Sequence, residues 1–484
     1  MGGGIIQLMA YGSQDRYLSG NPQMTFFRSV YKRHTHFAIE SLPQVFTGKM
    51  DFGQKLYCDI SKDGDLVNKM YIEIELECTE NYKLETVIHN NAHVLINSVD
   101  IVIGGNVIDR HYGEWLAIWA ELSNTTDNKL ILDELLRPTI TNEFNNPHKG
   151  KVCIPLQFWF NRYLGSSLPL IALEHSDVRI VVELNKKDLV WNNVLAKNNT
   201  KLDITIVDMK LYCDYIYLDS EERKVFSSRE HEYLIEQLQY GEKTSIPKTK
   251  TEIDVELLFR YPVKELFWVV QDIHSNSSGN GYLVDKDYSS FHDILVANSA
   301  VDYELYKTVD ATSASSSVSV TDDTPATTPS ITNQYYYRTL NSVGNHIYTF
   351  SRGMAMNREQ MKDAIILVNG QEITKQRDGY YYRLVERYKH NSGRGVCKKL
   401  NSNELEEKPS CIYMYSFSKM PEKLQPSGTL NFDKIDKCIL RMNLNTSVTH
   451  GTTDTTIDRV VKTWGINYNV LRISNGLSSL AYIQ

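Results

Sequence analysis

Apolar and polar residues alternate along much of this chain. Tyr71–Glu77 reads YIEIELE, with Ile72, Ile74 and Leu76 on one face and three glutamates on the other. Glu252–Leu257 (EIDVEL) places Ile253, Val255 and Leu257 on one face, and Arg179–Leu184 (RIVVEL) and Asp203–Ile206 (DITI) read alike. A period of two is the signature of strands with one buried and one wet face, which belong to antiparallel sheets. Two stretches break the period. After a Gly104-Gly105 turn, Trp115, Ile118, Trp119 and Leu122 fall at helical spacing. After an Asn369-Gly370 turn, Tyr381, Leu384, Val385 and Tyr388 do the same. Gly and Asn accept positive φ, so both turns predict hairpins, each followed by a short helix.

The two stretches superpose at an offset of 265 or 266 residues, and further matches follow in order. Ile154–Asn161 (IPLQFWFN) resembles Ile412–Lys419 (IYMYSFSK) at an offset of 258. Glu183-Leu184-Asn185 matches Asn443-Leu444-Asn445, and Met209-Lys210-Leu211 lines up with Asn469-Val470-Leu471, both at 260. Upstream, Val67–Glu73 resembles Val263–Val269 at only 196. Chance similarity has no reason to keep sequence order, so the chain reads as two copies of one unit. The jump in offset assigns about 69 extra residues to the second copy, between Val269 and Ile366. That interval contains Thr308–Asn333, rich in Ser, Thr, Asp and Pro, a composition that cannot bury a core and predicts a long exposed loop. Between the copies, Ser227 and Glu230 fit a capping box and Gly241 a C-cap, predicting a short helix near Ser228–Tyr240. The expected fold is all-β: two tandem eight-stranded jelly-roll barrels, or related sandwiches, each with a short helix after one hairpin.

Composition narrows the function. The 484 residues carry a net charge of −7, which argues against bulk packaging of nucleic acid. From Arg16 to Ile39 there are four basic residues and no acid, a stretch able to touch an anionic surface but equally a solvated run. The seven cysteines are scattered without a CxxC pair and predict neither a zinc site nor a disulfide framework, but small buried hydrophobes in a reducing compartment. No apolar run reaches membrane-spanning length, and the first residues lack a signal-peptide core, so a chain made and kept in the cytosol is expected.

Enzyme-like chemistry is sparse. His34-Thr35-His36 with Glu40 has HxHxxxE spacing, which resembles the first metal motif of cupins, and on a strand the two histidines would share a face. The glycine expected before the first histidine is missing, and Pro426–Gly428 leads to Asn431 where a second motif would end in histidine. No GxSxG, P-loop or dinucleotide fingerprint occurs, and no cofactor is expected. Glycosylation sequons stand at Asn124, Asn198, Asn276 and Asn445, with Asn276 best placed at the edge of the predicted loop.

Segments along the whole chain resemble the major capsid proteins of nucleocytoplasmic large DNA viruses, the irido-, chloro- and marseillevirus-like group. They include GGGIIQLMAYGSQDRYLSGNPQMTFFRSVYKRH at the start, VDIVIGGNVIDRHYGEWLAIWAEL, IPLQFWFNRYLGSSLPLIAL, PVKELFWVVQ, IYMYSFSKMPEKLQPSGTLNF and INYNVLRISNGLSSLAYIQ. Ser275–Tyr337 carries no family pattern. The resemblance implies a double jelly roll divided into an N-terminal arm (1–41), a first barrel (42–218), a linker with a short helix (219–248) and a second barrel (249–484) with its insertion near 275–337. It further implies homotrimers of pseudo-hexameric outline that tile an icosahedral shell beside neighbouring capsomers. The arm, with Arg28, Lys32 and Arg33, would face inward toward minor capsid proteins or an internal viral membrane, without direct nucleic-acid contact. Assembly in host cytoplasm is implied as well. A bicupin-like metal-dependent enzyme and a jelly-roll lectin or attachment protein are the alternative readings.

Overall fold

The computed structural model describes residues 3–78, 92–136, 139–140, 148–187, 204–247, 250–273, 334–340, 346–352, 361–393, 412–444, 448–449, 452–453 and 458–482. Asn276, Asn198, Asn445 and the Ser/Thr-rich Thr308–Asn333 lie outside the described residues.

The first unit is built from β1 (Phe37–Val45), β2 (Lys55–Asp59), β3 (Leu66–Cys78), β4 (Ile96–Ile103), β5 (Asn106–Tyr112), β6 (His148–Pro155), β7 (Val178–Leu184) and β8 (Ile204–Leu218). The second contains β9 (His231–Tyr240), β10 (Glu252–Glu256), β11 (Pro262–Ile273), β12 (Met361–Val368), β13 (Gln371–Glu372), β14 (Ile412–Ser416), β15 (Cys438–Leu444) and β16 (Asp458–Ser474), and ends in β17 (Leu477–Leu480). In the first unit the strand orders are β1-β8-β3-β6 and β2-β7-β4-β5; in the second they are β9-β16-β11-β14 and β10-β15-β12-β13. The two units therefore repeat one topology strand for strand, with every ladder antiparallel.

Alternation explains the packing. Val67, Met70, Ile72 and Ile74 of β3 enter the first core, and Val263, Leu266, Trp268 and Val270 of β11 enter the second at the expected offset of 196. Ile101 pairs with Ile180 and Ile366 with Leu440, which agrees with the offsets of 265 and 260 there. Both hairpin turns have positive φ at their two central residues, 58° and 84° at Gly104-Gly105 and 50° and 80° at Asn369-Gly370. Cys58, Cys213 and Cys438 are buried, as apolar strand residues would be.

Two offsets need correction. Ile72 faces Ile154 across its ladder and Trp268 faces Tyr413, so Ile154 corresponds to Tyr413 rather than to Ile412. β14 is buried on both faces, with Tyr413 in its own barrel and Ile412 and Met414 in the inter-unit core, so its hydrophobicity carries no period to fix the register. Leu211 likewise corresponds to Thr463, since they face Ile72 and Trp268; the offset is 252 and not 260.

The helices also depart from expectation. α1 (Gly113–Ser123) buries Trp115, Ile118, Trp119 and Leu122 as their spacing predicts. The linker helix, α2, spans Ser220–Ser228 instead of Ser228–Tyr240, and Asp219 caps it by accepting from the backbone N–H groups of Glu221 (3.1 Å) and Glu222 (2.8 Å). His231–Tyr240 is a strand, because ten residues of ladder to β16 outweigh the local helix signal. Gly241 is required by proximity rather than by a helix end: a Cβ there would lie 2.0 Å from Thr463 Oγ1. In the second unit a π turn, Tyr381–Val385, precedes α3 (Glu386–His390). With the wider i→i+5 turn the buried residues are Tyr382, Arg383, Glu386 and Arg387, and Tyr388 is 90% exposed.

Candidate assembly interfaces

The N-terminal segment before β1 is exposed along its length. It contains helical turns at Gly3–Met9 and Arg16–Ser19 with no buried residue. Tyr17 is 95% and Phe27 99% exposed, and Leu18, Phe26, Val30 and Tyr31 are similarly open. Arg28, Lys32 and Arg33 are exposed beside these aromatics. β1 begins at Phe37, so the last five residues expected in the arm are strand.

His34 and His36 precede β1, and His34 Nδ1 lies 2.7 Å from the Thr35 carbonyl. Glu40 sits on the strand, opposite Tyr215. Among the described residues no three His, Cys, Asp or Glu side chains converge on a metal position. Asn124, the described sequon, is turned inward at the end of α1, donating to the Ala120 carbonyl at 2.9 Å.

The second interface joins the two units. α1 of the first lays Trp115, Ile118, Trp119 and Leu122 on the outer face of the second unit's β9-β16-β11-β14 sheet, against Phe267, Val269, Ile412, Met414, Trp464 and Ile466. Trp115 meets Phe267 edge-on at 5.1 Å and lies 6.5 Å from Trp464. The docking is reciprocal. Leu471 and Ile473, at the far end of β16, and Ile235 of β9 enter the first unit's core. The β16–β17 hairpin is held by His175 N–H to the Gly476 carbonyl, 2.9 Å, and Ser478 N–H to Ser176 Oγ, 3.1 Å.

Buried charges line the same seam. Glu236 of β9 is shared between Arg162 of the first unit (2.7 Å) and Lys264 of β11 (2.6 Å), and Lys264 also donates to the Pro421 carbonyl at 2.7 Å. The adjacent Glu265 is fully buried and neither of its oxygens has a hydrogen-bond partner. Burial pushes its carboxyl up to about 8, with the nearby carboxylates Glu236 and Glu422 adding to the rise and Lys264 and Arg162 opposing it. Lys462 pairs with Glu114, and Arg387 binds Glu121 through its side chain (3.1 Å) and backbone carbonyl (2.7 Å). Sequence reasoning did not anticipate this cluster, although its signal is present: Lys264-Glu265 interrupts an otherwise apolar strand, and charges inside such a run call for partners.

The seam between the units is thus a packed contact of protein against protein. Residues 25–219 match the family model described as major capsid protein N-terminus, and residues 222–479 match that of the large eukaryotic DNA virus major capsid protein. The chain belongs to the large eukaryotic DNA virus major capsid protein family. It is 34% identical to the major capsid protein of Pyramimonas orientalis virus and 31% identical to that of Paramecium bursaria Chlorella virus 1, over the full length of both chains in each case. The solved structure of PBCV-1 VP54 superposes with a TM-score of 0.68 at 28% identity, covering 95% of this chain and 100% of that one. The Faustovirus major capsid protein, at 12% identity, shares the fold with a TM-score of 0.66, covering 96% of this chain and 94% of that one. As a major capsid protein the chain is a double jelly roll with a structural role in the virion shell, not an enzyme.

Proposed function

We propose that this major capsid protein self-associates into homotrimers of pseudo-hexameric outline, and that these tile an icosahedral shell as neighbouring capsomers. The observation that carries the reading is the duplication: two units of identical strand order in one chain let three chains imitate six similar positions. A near-hexagonal prism packs on a lattice in a way a single barrel does not. The N-terminal arm then lies on the inner side. Arg28, Lys32 and Arg33, interleaved with exposed Phe26, Phe27 and Tyr31, meet minor capsid proteins or the anionic headgroups of an internal membrane. The net charge of −7 supports a shell without direct nucleic-acid contact. Synthesis and assembly take place in host cytoplasm.

The test is the solution mass of the full chain by light scattering after size exclusion. The expected species has the mass of three chains. A folded chain that remains monomeric at high concentration overturns the reading.

A further inference from the structure

The duplicated topology identifies a face that is covered in one unit and open in the other. In the second unit, Tyr240, Trp464, Phe267 and Met414 are successive ladder partners across β9, β16, β11 and β14. The same row in the first unit is Pro43, Tyr212, Tyr71 and Pro155, across β1, β8, β3 and β6. The second-unit row is sealed by Trp115 of α1, and Trp464, Phe267 and Met414 are buried beneath it. The first-unit row stays accessible: Pro43 is exposed, while Tyr71, Tyr212 and Pro155 are half-buried. Tyr71 and Tyr212 stack on one another at 5.0 Å with their rings 6° apart, and this half-buried aromatic pair is the platform.

The counterpart of the cover is open in part. α1 follows the β4–β5 hairpin of the first unit; the π turn and α3 follow the β12–β13 hairpin of the second. One side of this helical segment is anchored in the chain, through Arg387 to Glu121 and Gly393 N–H to the Leu122 carbonyl at 2.7 Å. It also presents Tyr380, 52% exposed, and Tyr388, 90% exposed, to solvent. Exposed Arg377 stands beside them with Lys389, which pairs with Glu386, whereas the platform is rimmed by Glu75 and Asp214 beside the pairs Glu73–Lys151 and Asp208–Lys210.

We infer that the outer face of the first unit's sheet, centred on Tyr71 and Tyr212, is the docking site for the helical segment Tyr381–His390 of a second copy of this chain. The inference rests on the self-assembly proposed above and gives it an address. One chain bearing both a free cover and an uncovered face makes a heterologous, head-to-tail contact. The step from first to second unit inside the chain is repeated from the second unit to the next copy's first. Six such steps close a ring of three chains. Aromatic rings at the centre and opposite charges at the rim give this contact the anatomy of a specific interface.

The experiment compares the full-length wild type with two double variants by light scattering, with far-ultraviolet circular dichroism on each. Tyr71→Asp with Tyr212→Asp places charge on the platform; Tyr380→Asp with Tyr388→Asp places it on the helical segment, at side chains already open to water. Both are expected to abolish the three-chain species and leave a monomer with wild-type secondary structure. The helical variant remains informative even where the platform variant misfolds, because Tyr388 is 90% and Tyr380 52% open to water. A three-chain species that persists in the helical variant overturns the docking site while leaving trimerisation standing. A monomeric wild type overturns trimerisation itself and the docking site with it.

Discussion

Trp115 and Phe267 belong to different barrels, yet their rings meet edge-on at 5.1 Å inside a core that neither barrel contains alone. The two units are thus joined by packing of interior quality and not by a linker with incidental contact. Trp115→Ala removes one of the three tryptophans of that seam and leaves a cavity between units. The expected loss is about 3–5 kcal/mol of stability. Urea unfolding measures it, and the transition should broaden or split as the barrels uncouple.

Glu265 gives the seam a pH dependence. Its folded-state pKa of about 8 lies above the ordinary 4.5 of an unfolded glutamate. The folded protein therefore holds a proton that the unfolded chain has released. The stabilisation is complete below about pH 4.5, falls as pH rises toward 8, and levels off above that. Glu265→Gln keeps the shape and cannot ionise. Unfolding free energies measured across this window should lose part of their downward slope in the variant, with the variant the more stable of the two at pH 8. Parallel slopes would contradict the assignment.

Burial separates ion pairs that look alike by distance. Glu236→Gln leaves Arg162 and Lys264 buried without their shared carboxylate and should cost about 3–5 kcal/mol. Glu232→Gln breaks the pair with Arg472, whose side chains are 63% and 57% exposed, and should cost no more than about 1 kcal/mol. Denaturant titration of the two variants side by side checks the contrast.

The arm contributes nothing to the fold that its exposure would reveal. Deleting residues 1–36 removes no buried side chain among those described and stops short of the β1–β8 ladder, which begins at Phe37. The thermal midpoint should stay where it is. A drop of several degrees would mean that the arm packs on its own barrel.

Much of this architecture was legible in the sequence because the decisive residues are periodic. Ile72, Ile74 and Leu76 announce a half-buried strand, and Gly104-Gly105 and Asn369-Gly370 announce hairpins, since φ/ψ sterics leave few residues able to make those turns. Legibility failed where one signal has two explanations. Ile412, Tyr413 and Met414 are all buried, so alternation could not set their register. His231–Tyr240 follows an apparent capping box, yet the strand β16 that claims it lies more than two hundred residues away. The helical spacing of Trp119 marks a buried face, and Trp119 is buried. What no local pattern could supply was its partner, because the Trp115–Trp119 surface is completed by Phe267 and Trp464 from the other unit.

The central claim is that two equivalent units in one chain let three chains occupy six positions. Electron-microscope class averages of the purified full-length chain test it most directly. The prediction is a closed particle with true threefold symmetry and a near-hexagonal outline. Isolated two-lobed monomers, or open chains that never close, would contradict it.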